Sequence, residues 1–286
     1  MNSMKGKRVL ITGPTSGIGK EIAVQLAALG AEVILACRDI KKGNQTATEI
    51  TRRTGSTKLV VMKMDASSQK SIREFAREFR KKYRRLDVLI NNAAGNRGTL
   101  PKINSADGIE LTFATNVLGY FLLTQELLDV LKKSEPARVV NVASTYASDL
   151  DLDDLQFERR PFESFKAYAQ SKACNRLFTW ALARRLDGSG VAANAMAPGL
   201  ITETGLYRNA PPELVGRLTQ YSGGRTSAQG AETAVWLASD SEVEGVSNTF
   251  FEDRKELRCE FRNKKSEEKL WSICEELVNK NNPSVG

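Results

Sequence analysis

The chain has no histidine, and only 4 cysteines among 286 residues. Without histidine, the side chain that ordinarily moves protons near neutral pH is missing. Hydrolases built on Ser-His-Asp or Cys-His are therefore excluded. Cys37, Cys174, Cys259 and Cys274 are scattered, with no C-x-x-C pair. That scatter, with no imidazole, argues against zinc and predicts no metal site. It suits reduced thiols in a cytoplasmic protein. No apolar run approaches the roughly 20 residues that cross a bilayer. Residues 1–7 carry no apolar stretch of the secretory type. No stable membrane anchor is expected.

What the chain does have is basic charge, 42 Lys and Arg against 34 Asp and Glu, a net +8. The densest run is Arg80-Lys81-Lys82-Tyr83-Arg84-Arg85, at the end of a helical pattern. Cations there complement the negative end of the helix dipole. No nucleic-acid-binding motif accompanies them, so no nucleic-acid partner is expected. The same charge suits a polyanionic cofactor.

Short apolar runs alternate with amphipathic stretches. Residues 8–12, 32–36, 59–63, 88–90, 138–142 and 191–195 read as six strands. Helical patterns lie at 18–29, 40–53, 67–83, 108–131 and 168–186, with Gly30 placed to cap the first. Strands alternating with helices predict an α/β fold, a Rossmann-type doubly wound parallel sheet in three α/β/α layers. One domain spanning 1–256 is expected, with an excursion at about 200–226 marked by Pro211-Pro212 and Gly223-Gly224. Residues 257–286 read as a charged, helical C-terminal extension with Ser266 as its cap, docked on the domain or serving an oligomer contact.

Between the first strand and helix lies Thr12-Gly13-Pro14-Thr15-Ser16-Gly17-Ile18-Gly19. Glycines there permit a tight turn and let backbone approach a phosphate. The following helix start offers free N–H groups and a positive dipole end. Arg38 follows the second strand, the position over the adenosine ribose in dinucleotide-binding folds. An arginine there accommodates a 2′-phosphate, so NADP(H) is expected over NAD. Tyr168 and Lys172 are four apart on a helical pattern and share one face. An ammonium near a phenol favours the phenolate, which makes the pair a credible proton-transfer group in a chain without histidine. Between residues 149 and 165, Asp149 to Asp154 reads as a solvated acidic run. Phe157, Phe162 and Phe165 line a pocket or pack their own loop.

In order, Gly13/Gly17/Gly19, Asp65, Asn91-Asn92-Ala93-Ala94-Gly95, Asn116, Ser144, Tyr168-x-x-x-Lys172 and Pro198-Gly199 resemble the short-chain dehydrogenase/reductase family over nearly the whole chain. Ala36-Cys37-Arg38-Asp39, Asn116 to Thr124 and Ala167 to Lys172 are similar to its retinol-dehydrogenase-like branch. Pro14 in the turn and Ala94 depart from the usual pattern. The resemblance implies an NADP(H)-dependent interconversion of a small, apolar carbonyl or alcohol. It implies Tyr168 as proton donor, with Lys172 lowering its pKa and Ser144 holding the substrate oxygen. It also implies that Asn116 holds a water linking Lys172 to solvent. Asp65 and Ala66 would meet the adenine, Asn92 and Ala93 the cofactor groove. Ile201 and Thr202, after Pro198-Gly199, would meet the nicotinamide. Relatives of this kind are often homodimers or homotetramers. Two other readings stay open: an unusual step such as ring closure or double-bond reduction, or a cofactor-binding regulator.

Overall fold

The computed structural model describes residues 2–202, 205–207, 209–213, 215–216 and 223–280. Parts of the excursion expected at 200–226 therefore lie outside the described residues. The chain alternates β1 (Arg8–Thr12), α1 (Gly17–Ala28), β2 (Glu32–Cys37), α2 (Ile40–Thr54), β3 (Leu59–Lys63), α3 (Gln69–Lys82) and β4 (Val88–Asn91). Then come α4 (Leu111–Phe113), a π-helical turn (Ala114–Leu118), α5 (Gly119–Lys132), β5 (Ala137–Val142), α6 (Ser164–Arg185) and β6 (Val191–Met196). The chain continues with α7 (Ser227–Ser239), β7 (Phe250–Glu252), β8 (Lys255–Glu256) and α8 (Lys264–Lys280).

The strands form one sheet in the order β3-β2-β1-β4-β5-β6-β7-β8. Every neighbouring pair is parallel except β7 with β8. The central strands are apolar almost throughout because both of their faces are buried, while β8 at the sheet edge is Lys255–Glu256 and exposed. Successive residues alternate between the faces. Leu10 and Ile34 join Phe75, Phe121 and Phe178 on one side. Val9, Ile11, Val33 and Leu35 join Ile22, Ile50 and Val235 on the other. α1, α2 and α7 thus cover one face; α3, α5, α6 and α8 cover the other. The strand order reverses between β1 and β4, which leaves a crevice beyond their carboxyl ends.

Six strands were expected and eight are present among the described residues. β7 and β8 have 3 and 2 residues, too short to show a period. α6 starts four residues earlier than its sequence pattern, at Ser164. Gly30 takes φ +95° just past α1, and the Ala31 N–H reaches the Leu26 carbonyl at 3.1 Å, closing the helix end. Ser266 is not the cap of α8. The Asn263 side chain accepts the Ser266 N–H at 3.0 Å, so Ser266 sits inside the first turn.

α8 docks on the sheet-covering helices. Its Trp271 is 6% exposed and lies 4.9 Å from the Phe121 ring centroid and 6.0 Å from that of Phe178. Glu267 pairs with Arg184, and Glu268 with both Arg184 and Arg185. No helix among the described residues is long and apolar enough to cross a membrane. Trp271→Ala should cost about 3–5 kcal/mol of unfolding free energy in urea denaturation. A loss below about 1 kcal/mol would show α8 to be an appendage.

Candidate functional site

The chain leaves β1 at Thr12 and turns through Gly13 at φ +65° and Gly17 at φ +53° into α1. A Cβ on Gly13 would stand 2.9 Å from the Ala93 Cα. One on Gly19 would stand 2.3 Å from both Asn92 Nδ2 and the Gly13 carbonyl oxygen. These glycines let the loop after β1 lie against the loop after β4. Thr12 Oγ1 accepts the backbone N–H groups of both Asn92 and Ala93 at 2.9 Å. Asn92 Nδ2 donates to the carbonyls of Thr12 at 2.9 Å and Gly13 at 3.2 Å. Ser16 is the N-cap of α1, yet its side chain makes no capping hydrogen bond. The first-turn amides of a 12-residue helix are thus left to an anion at the reversal point of the sheet. Pro14 precedes those amides and removes none of them. Thr15 and Ile18 flank the same turn.

Arg38 is exposed at the end of β2 and makes no ion pair with the described residues. The neighbouring Asp39 is already engaged, since its carboxylate accepts the Lys42 N–H at 3.1 Å as the cap of α2. Beyond β3, Asp65 Oδ1 accepts from Ser67 N at 2.9 Å and Ser67 Oγ at 2.7 Å. The Ala66 carbonyl packs against Gly119, where a Cβ would come within 2.4 Å.

α6 carries Tyr168 and Lys172, 9% and 1% exposed. Lys172 Nζ donates to the Val142 carbonyl at 2.8 Å and lies 5.5 Å from the Tyr168 ring centroid. Burial lowers the Lys172 pKa from 10.5 to about 7. Burial also pushes the Tyr168 phenol well up, reinforced by Tyr207 and opposed by a hydrogen bond with Ser144. Within the protein itself, loss of hydration therefore sets the direction of the Tyr168 shift. Ser144, half-buried just past β5, accepts the Tyr146 N–H on its hydroxyl at 3.0 Å. Asn116 is fully buried in the π-helical turn, the kind of helix irregularity often found at functional sites. Its Oδ1 accepts the Gly95 N–H at 2.9 Å, and its Nδ2 donates to the Gly95 carbonyl at 3.1 Å and Ser171 Oγ at 3.0 Å. The side chain ties the loop after β4 to α6.

After β6, Gly199 has φ +77° and packs on the Arg225 side chain. Ile201 pairs with Arg225 in a parallel bridge and abuts Gly230, beside Pro198. Thr202 follows in a turn. Every residue expected at the site from sequence thus lies past the carboxyl end of a strand, or on α6 or the π-helical turn beside those ends.

In the loop between β5 and α6, one feature differs from expectation, and for Phe157 the contacts select one of the two expected roles. The acidic run is not simply solvated: Asp154 is 5% exposed and its carboxylate accepts the N–H groups of Glu158, Arg159 and Arg160. Phe157 packs its own loop, 5.5 Å from the Phe162 ring and 4.4 Å from the Arg160 guanidinium. Sequence reasoning missed Thr12 as the clasp between the two loops. It also missed a buried chain in which Asn91 Nδ2 donates to Thr124 Oγ1 and Asn141 Oδ1, and Asn141 Nδ2 to Thr179 Oγ1. Asparagines inside otherwise apolar strands were the available signal.

An uncapped helix start at the reversal point of a parallel sheet is what a dinucleotide pyrophosphate requires, and it defines a dinucleotide-binding α/β protein. The family pattern described as short chain dehydrogenase matches residues 7–214. Retinol dehydrogenase 12 of Mus musculus is 42% identical across 96% of this chain and 86% of its own length. Retinol dehydrogenase 14 of Homo sapiens is 39% identical across 96% and 87%. Among solved structures, an uncharacterized protein from Mycobacterium paratuberculosis superposes with a TM-score of 0.78 at 30% identity, over 98% of this chain and 96% of its own. The NADP active-site complex of Pseudomonas aeruginosa RhlG gives 0.71 at 28%, over 87% and 95%. The chain belongs to the short-chain dehydrogenase family, in its retinol-dehydrogenase-like branch. It is an NAD(P)-dependent oxidoreductase acting on alcohols or carbonyl compounds.

The lowered Lys172 pKa has a consequence for stability. Below about pH 7 the lysine is protonated folded and unfolded, and the cost of burying the ammonium is fully felt. Between about pH 7 and about pH 10 the unfolded chain binds the extra proton, so stability rises with pH. Lys172→Met lacks this dependence. Its stability relative to the native chain should be highest near neutrality and decline steadily on going alkaline. Urea denaturation across that range checks this, and a pH-independent difference refutes it.

Proposed function

We propose that this oxidoreductase is NADP(H)-dependent and interconverts an apolar carbonyl compound and its alcohol, with Tyr168 as the proton donor. The observation that carries this reading is the placement of Tyr168 on α6, its ring 5.5 Å from Lys172 Nζ and its phenol interacting with Ser144 just past β5. When bound, the nicotinamide cofactor supplies or accepts the hydride. Gly13, Thr15, Ser16, Gly17, Ile18 and Gly19 would hold its pyrophosphate. Arg38 would take the 2′-phosphate, with Asp65 and Ala66 at the adenine and Asn92 and Ala93 along the groove. Pro198, Gly199, Ile201 and Thr202 would border the nicotinamide. Arg38 supports the phosphorylated cofactor because it is exposed, while the neighbouring carboxylate is occupied in capping α2.

The residues then divide the work. The Tyr168 phenol, like any tyrosine, is protonated at neutral pH, the form needed to donate to a carbonyl oxygen, and burial shifts its pKa further upward. Ser144 donates to the same oxygen and fixes its position. Lys172, with a pKa of about 7, can replace the tyrosine's proton close to working pH. Asn116 keeps the loop after β4 fixed to α6. An apolar substrate agrees with Tyr146, 55% exposed two residues beyond Ser144, and with Leu100 at 40% and Ile103 at 41% in the loop after β4.

Tyr168→Phe should lower turnover by about 10²–10⁴-fold while NADPH affinity, read by fluorescence titration, is unchanged. Turnover at the native rate would sink the mechanism. Arg38→Ala should weaken NADPH about tenfold to a hundredfold, the worth of a charge-assisted contact, and leave NADH affinity alone. Equal native affinities for the two cofactors would refute the assignment of Arg38.

A further inference from the structure

One turn past Lys172 on α6 stands Arg176, so Tyr168, Lys172 and Arg176 form a single stripe. Arg176 is 5% exposed, and no carboxylate among the described residues is paired with it. A buried guanidinium with no counter-ion is costly, and an apolar side chain of similar length would fill the same space without that cost. Burial lowers its pKa, opposed by Cys259 and, from farther away, by Glu260 and Glu252.

The surroundings show what the charge serves. Nη2 donates to the Ser144 backbone carbonyl. Nη1 faces Cys259 Sγ at 4.0 Å, and Nε has no partner. The guanidinium stacks 4.1 Å from the Phe250 ring centroid and 5.4 Å from that of Phe261. Planarity suits both the stack and the directed bond, which a lysine meets only in part. The last backbone bond tying β5 to β6 runs from the Ala143 N–H to the Met196 carbonyl at 2.8 Å. Beyond it the chain turns outward through exposed Thr145 and Tyr146. Arg176 therefore grips the backbone at the point where regular pairing has ended and the Ser144 hydroxyl must still be aimed.

We propose that Arg176 is a positioning residue for the reaction: clamped between Phe250 and the Cys259–Phe261 segment, it fixes the Ser144 backbone so that the Ser144 hydroxyl meets Tyr168. This rests on the reading of Ser144 and Tyr168 given above. It also gives the segment following β8 a part in the chemistry, because that segment supplies one side of the clamp.

The test compares the native chain with Arg176→Met, Arg176→Lys, Phe261→Ala and Ser144→Ala, all as full-length protein. Turnover is expressed per NADPH-binding site, with affinity and melting temperature measured in parallel. Arg176→Met should lose at least about tenfold in kcat, since small misplacements of reacting groups cost up to about 10²-fold. Its NADPH affinity should stay native, and it should not melt earlier, because a buried unpaired charge has been removed. Arg176→Lys should recover part of the loss, and Phe261→Ala should show a smaller fall in kcat. A merely structural role would reduce melting temperature and folded yield but not turnover per site. Native turnover per site in Arg176→Met, with Ser144→Ala inactive, overturns the positioning role alone. If Arg176→Met does not fold, native turnover in Phe261→Ala does the same. A fully active Ser144→Ala overturns both this role and the reading beneath it.

Discussion

The bond from Lys172 Nζ to the Val142 carbonyl is the constraint on which the site depends. An ammonium 1% exposed is tolerated only where its donors are met and the surrounding structure holds it in place. The acceptor is the last residue of β5, so the bond fixes how far along the sheet α6 lies. That in turn decides which α6 residues reach past the strand ends, and they are Tyr168 and Ser171. A shift of α6 by one turn toward the sheet would put Tyr168 beside Val142, where Lys172 now lies, and withdraw it from the crevice.

Holding α6 there is the work of its other contacts. From Ala167 to Ala183 every residue is buried, which an ordinary surface helix does not show. The outer side is covered by α8, with Trp271 against Phe121 and Phe178 and with Glu267 and Glu268 on Arg184 and Arg185. The inner side is pinned by Asn141 to Thr179 and by Asn175 to Val142.

The central fold was legible in the sequence because β1 to β6 are apolar on both faces and α1 to α3 carry strong end signals. Asp39 before α2 and Gly55 after it are examples, the one capping with its carboxylate and the other taking φ +72°. α7 was passed over although Thr226 and Gln229 form a reciprocal cap at its start; its alanine-rich body shows little amphipathic contrast. At the site, residues whose chemistry is unusual for their place were legible: glycines after a strand, a tyrosine–lysine pair, an arginine after β2. The roles of Thr12 and Arg176 were not. Each acts through contacts 80 or 32 residues away, and neither lies in a local pattern that marks it.

Under the proposed function, a protein with no histidine draws its near-neutral proton carrier from elsewhere, and burial offers Lys172. Lowering Lys172 to about 7 places its titration where an imidazole would ordinarily work. The same burial raises the Tyr168 pKa. The two shifts share one cause, loss of hydration, and have opposite signs because one group is charged when protonated and the other when deprotonated. In the proposed mechanism, deep burial of this part of α6 prepares donor and relay together. Exposing this stretch of α6 would lower the Tyr168 pKa and raise that of Lys172 at once.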